Sequence, residues 1–116
     1  MTLSYSDIVF RNLFLGFIRL HILYHASKEP VFGLSLIQEL ERHGYGMSPG
    51  TLYPILHQME RAGFLFAERS VTGGKMRKYY RISEEGKQAL AQSYTKIKEL
   101  SDELNEQRTG STAWNT

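Results

Sequence analysis

The chain has 116 residues with a formal net charge of +2 and no cysteine. One domain with an appended arm fits that length, and disulfides, thiolate nucleophiles and cysteine-based zinc sites are excluded. The near-neutral total hides a division: residues 40–82 carry seven basic and three acidic groups, whereas residues 83–116 carry four and six. A basic middle beside an acidic end points to a polyanion as partner of the middle.

Ser4 or Ser6 can cap a first helix that has Asp7 in its first turn, where the helix dipole favours negative charge. It is expected to run to about Ala26 and to stop before Pro30, which disfavours helix at Glu29. Phe10, Leu13, Phe14, Phe17, Ile18 and Ile22 nearly encircle it, so it must contact more than one small domain can offer. Phe10, Phe14 and Phe17 are therefore candidates for core and dimer interface; the other reading is a pocket between subunits for a flat apolar ligand. The stretch Leu13–Leu23 carries Arg19 and His21 and is too short and polar to span a bilayer. With no secretory leader evident, a cytoplasmic protein without a membrane partner is expected.

Val31 and Phe32 form an extended link, and Gly33 opens a second helix running through His43, with Leu36, Ile37 and Leu40 as its apolar stripe. Gly44 can close it in the left-handed conformation. "GYGMSPGTLYPILHQMERAGFL" then carries a third helix. Either Ser48 caps it with Pro49 at its first position, or Thr51 does, which leaves Pro54 in the first turn. Met47 can pack on Leu52 as a hydrophobic staple. At 100° per residue, Leu52, Ile55, Leu56, Met59 and Ala62 share one side. Tyr53, His57 and Arg61 fall opposite, flanked by Gln58.

"FLFAERS" and "RKYYRIS" read as strands around "VTGGKM", a hairpin tip with a favoured glycine pair. From Arg69 to Arg81 there are five basic residues and no acidic one. Tyr80 and Ile82 share one strand face; Arg77, Tyr79 and Arg81 share the other. Ser83 caps a final helix with Glu84 and Glu85 in its first turn, which Gly86 weakens slightly. Leu90, Tyr94, Ile97, Ser101 and Leu104 recur at four-three spacing, a coiled-coil-like seam. "TGSTAWNT" reads as a frayed tail.

The expected fold is mainly α with a small β-hairpin: a winged helix-turn-helix with an N-terminal helix and a C-terminal dimerisation helix. The expected organisation is a DNA-binding domain with its N-terminal helical extension over 1–82, a dimerisation helix over 83–108 and a flexible tail over 109–116. A major groove admits one helix, so Arg61 and Gln58 could read purine edges. Tyr53 and His57 could bond bases or phosphates, and Thr51 or Ser48 could bind phosphate near the helix start. Gly73 and Gly74 permit close backbone approach at the tip, with Lys75, Arg77 and Lys78 as phosphate ligands. An ordinary solvated helix face is the competing reading, and the basic hairpin that follows it weighs towards nucleic acid.

His21 and His25 stand at i and i+4, a spacing that can bind a metal. The sequence offers them no evident third ligand, and His43 is assigned to the end of its helix, where a cation is favoured. The expectation is hydrogen-bonded histidines, no metal site and no cofactor. No nucleophile elbow, phosphate loop or metalloprotease motif appears, so an enzyme is not expected.

"SPGTLYPILHQME" and "RKYYRISEEG", within a match spanning about Leu13 to Leu90, resemble the PadR family of transcriptional regulators. The resemblance implies a homodimeric winged helix-turn-helix repressor on a double-stranded operator of two-fold pseudo-symmetry. Tyr53 and its helix neighbours would enter the major groove, and the Gly74–Lys78 wing would hold phosphates. It further implies that the last helix crosses to the partner, here in the form of the smaller subgroup with a single C-terminal helix. In several members a small aromatic effector at the dimer interface releases DNA; that pocket does not transfer residue by residue. The alternative is a winged-helix module that binds protein rather than DNA.

Overall fold

A computed structural model describes the backbone of residues 5–110 and the side chains of residues 7–106. The order is α1 (Tyr5–Lys28), α2 (Gly33–Arg42), α3 (Pro49–Arg61), β1 (Leu65–Thr72), β2 (Lys75–Ile82) and α4 (Glu84–Gly110). Ser6 lies inside α1 rather than capping it, and Ser4 lies outside the described residues. α1 continues two residues past Ala26, and α4 continues through 109 and 110. The remainder of the expected tail, Trp114 included, lies outside the described residues.

The core forms where the apolar stripes converge. Ile22 of α1, Leu36 and Leu40 of α2, Leu52 and Leu56 of α3, and Tyr80 of β2 are its fully buried members. Each such side chain withdrawn from water contributes about 1.5–3 kcal/mol. Ala62 departs from the expected stripe: it is the C-cap of α3 and is exposed. Met47 is half-buried against the core, as a staple requires.

The strands pair antiparallel from Leu65–Ile82 to Thr72–Lys75. They run further towards the tip than expected, so Gly73 and Gly74 alone make the turn. Their φ values of 60° and 78° are what a two-residue turn matched to strand twist demands, and a side chain is disfavoured at both. Val31 adds a short antiparallel bridge to Tyr80, with N–H to O bonds of 3.0 and 2.7 Å. The link between α1 and α2 is thereby tied to the hairpin.

Ser83 caps α4 by accepting the Gly86 N–H at 3.0 Å. Gly86 has a second reason to be there. A Cβ at that position would overlap the Phe64 carbonyl oxygen and stand 2.7 Å from Ile82 Cγ1. The first turn of α4 lies directly on the hairpin base, and only glycine permits that approach. Beyond Leu90 the helix leaves the body with Tyr94, Ile97, Leu100 and Leu104 exposed. No described helix is long and apolar enough to cross a membrane.

Candidate nucleic-acid interface

The start of α3 settles which residues its polar face presents. Ser48 is the N-cap in extended conformation and its carbonyl accepts the Thr51 and Leu52 N–H groups, both at 3.1 Å. Its hydroxyl caps no backbone group; it lies 3.4 Å from the Thr51 hydroxyl. The helix therefore begins at Pro49, and Pro54 stands inside it, where its missing N–H deprives the Gly50 carbonyl of a helical bond. Gly50 is exposed, so water can serve that carbonyl.

Thr51, Tyr53, His57, Gln58 and Arg61 are exposed, while Leu52, Ile55, Leu56 and Met59 are buried. The expected division of α3 into a packed side and a polar side is what the structure contains. Tyr53 is nevertheless only 40% exposed. Its ring lies over the first residue of α2, where a Cβ on Gly33 would fall 2.6 Å from Tyr53 Cζ. Glycine at 33 thus seats the tyrosine, a role that spacing alone did not reveal. The start of α2 is fixed by Ser35, whose hydroxyl accepts the Phe32 N–H at 3.1 Å and donates to the Phe32 carbonyl at 2.8 Å.

The wing cations, equivalent in the sequence, occupy different situations. Lys78 Nζ lies 3.2 Å from Glu60 Oε1 of α3. Partial burial opposes its charge, but the Glu60 carboxylate and the Tyr80 hydroxyl together outweigh that and raise its pKa. The Arg77 guanidinium stacks over the Phe32 ring at 4.6 Å, and Tyr79 meets the same ring edge-on at 5.5 Å. Arg81 pairs with Glu68 across the hairpin at 3.1 Å. Lys75, beside the glycine turn, is exposed and has no ion pair among the described residues.

Part of this set meets in one place, whereas His57 and Arg61 border a separate groove with Glu60, and Gln58 borders another that faces α1 and α4. Gly33, Tyr53, Met76, Arg77 and Lys78 line a single groove of about 320 Å³ between the start of α2, the start of α3 and the wing. The Lys78–Glu60 pair closes the wing onto α3 further along. Through Tyr53 near its start and Glu60 near its end, α3 therefore touches the wing at two places.

On another side, α1 and α4 border an apolar groove of about 850 Å³ lined by Leu13, Phe17, Ile97, Leu100 and Leu104 among others. Phe10 and Phe14 are 57% and 50% exposed, and Phe17 is half-buried. Near the root of this groove the structure supplies what the spacing of His21 and His25 lacked. His43, the C-cap of α2, stacks on His21 with ring centroids 4.5 Å apart. The helix-end assignment of His43 holds, but the third imidazole is present.

The transcriptional regulator PadR-like family model matches residues 22–92. The chain is 47% identical over 87 residues to transcriptional regulator Rv3488 of Mycobacterium tuberculosis, covering 75% of this chain and 81% of that protein. Among solved structures, a PadR-like transcription factor from Bacteroides fragilis is similar at 29% identity and a TM-score of 0.74, over 86% of this chain and 98% of that one. A PadR-like transcriptional regulator from Bacillus cereus is similar at 30% identity and a TM-score of 0.75, over 83% and 95%. These relatives are regulators rather than enzymes, and they share the helices and hairpin described above. The matched segment takes in all of α2, α3 and the wing, and the chain belongs to the PadR-like family of transcriptional regulators.

Proposed function

We propose that the chain is a homodimeric repressor that recognises a short inverted-repeat operator, with α3 in the major groove and the wing on the flanking backbone. The observation that carries this reading is the groove that Tyr53 shares with Arg77 and Lys78, because it sets the exposed face of α3 beside the wing cations. Thr51, His57, Gln58 and Arg61 are the base and phosphate readers. Ser48 and the Gly73–Gly74 tip approach the sugar-phosphate backbone, and Lys75 and Arg77 neutralise it. Lys78 acts chiefly by holding the wing on α3.

The apolar face of α4 supports dimerisation. A helix with Ile97, Leu100 and Leu104 in water gains little by itself, and the groove beside α1 would accept a partner's α4. Any part of it left open between subunits would admit a small aromatic effector. Two subunits so joined would present their α3 helices to successive major grooves, with half-sites about 10 bp apart. Such a regulator works in the cytoplasm, where the chromosome is.

Selection from a pool of random duplexes tests the reading. The expected outcome is enrichment of an inverted repeat with that spacing. Absence of any enriched sequence, together with weak binding to every duplex, would instead favour a winged helix that uses the same face on another protein.

A further inference from the structure

Three of the four histidines of the chain meet away from the DNA-facing groove. His21 and His25 project from successive turns of α1, and His43 joins them from the end of α2, immediately before the turn into α3. One ligand atom from each lies within 4.8 Å of the other two. Zinc–imidazole bonds of about 2.1 Å place tetrahedral donors about 3.4 Å apart, so modest ring rotations would converge the three nitrogens.

We propose that His21, His25 and His43 form a binding site for a divalent transition-metal ion of the zinc, nickel and cobalt type.

Two further observations support the assignment. His25 Nε2 is buried and has no hydrogen-bond partner among the described residues, and Glu39 Oε2 stands 3.8 Å away, beyond hydrogen-bond reach. A buried polar atom without a partner is costly, and a metal ion would satisfy it. The rings are also already gathered, with the centroid of His21 lying 4.5 Å from that of His43 and 6.3 Å from that of His25.

The donor set indicates the class of ion. Three imidazoles without a thiolate suit borderline divalent metals rather than copper(I) or calcium. Glu39 is placed to take a fourth position or to orient His25, as carboxylates beside metal-bound histidines do. A groove of about 370 Å³ bordered by Tyr24, His43 and Tyr94 gives an ion access. The bound ion would fasten the α2–α3 turn to α1, and so constrain how α3 is carried relative to the helix that borders the apolar groove.

The test needs no DNA, so its result is independent of the operator reading. Metal-free full-length chain is titrated with Co²⁺ and then Zn²⁺, followed by ligand-field absorption, histidine ring NMR signals and melting. One ion per chain, shifts at His21, His25 and His43 with His57 unmoved, and a Zn²⁺-dependent rise in Tm are expected. His43→Ala alters an exposed residue and should preserve the fold; it and His21→Ala should each weaken affinity at least about tenfold. Unchanged affinity in His43→Ala, perturbation of His57 alone, or no saturable Co²⁺ spectrum would overturn the proposal.

Discussion

Lys78 Nζ of the wing stands 3.2 Å from Glu60 Oε1 of α3, and both side chains remain about one-third exposed. A pair so open to solvent contributes at most about 1 kcal/mol to stability, so its main consequence is that the Lys78 ammonium is already occupied by Glu60. Glu60→Gln should change Tm little. It should release Lys78 to a phosphate, so that log K against log salt steepens by about one unit. An unaltered slope in salt titrations of duplex affinity would mean that Lys78 stays off the DNA.

Lys75 and Arg61 should fail differently. Lys75 is exposed at the tip of the wing, so Lys75→Ala should lower the salt slope by about one unit with a similar loss on every sequence. Arg61 sits on the polar side of α3, and Arg61→Ala should cost about 1–3 kcal/mol at one operator position while leaving random duplex binding nearly unchanged. Equal losses on operator and random DNA would contradict this division of labour.

Gly33 and Tyr53 should be coupled, because a methyl group at 33 would displace the tyrosine ring. Gly33→Ala should weaken operator binding in the wild-type background and have almost no further effect in Tyr53→Ala. A double-mutant cycle measures the coupling, with additivity within about 0.5 kcal/mol as the contrary result.

Gly86→Ala replaces a poor helix former with a good one, yet it should destabilise by about 1–3 kcal/mol. The added Cβ meets the fixed Phe64 carbonyl and the buried Ile82 side chain. Denaturant unfolding decides the sign.

Leu104→Asp places a charge on the apolar face of α4, beside the groove bordered by α1. It should yield a monomer by sedimentation and weaken operator binding sharply. An unchanged mass would mean that this face does not hold two chains together.

The sequence revealed most where periodicity and turn chemistry act locally. The packed and polar sides of α3 followed from 100° spacing, the wing tip from Gly73–Gly74, and the start of α4 from Ser83. What it did not reveal depends on elements meeting in space. Gly33 lies under Tyr53 twenty positions later, and Lys78 is held by Glu60 from the preceding helix. His43 reaches His21 only because α2 packs back across α1. Gly86 looked like a weakness by helix propensity, and its reason is the hairpin beneath it. Nor could propensity choose between the two starts of α3, since Pro54 stands inside the helix where Gly50, whose carbonyl loses its bond, is exposed.

If α3 and the wing grip one duplex together, labels placed on each should cut the same site. Since the chain has no cysteine, His57→Cys and Lys75→Cys can each carry a single DNA-cleaving label. Cleavage from position 57 should map inside each half-site, and cleavage from position 75 to the flanking backbone on the same face of that duplex. Scission from position 57 alone, or from the two positions on opposite faces, would mean that the two elements do not share a duplex.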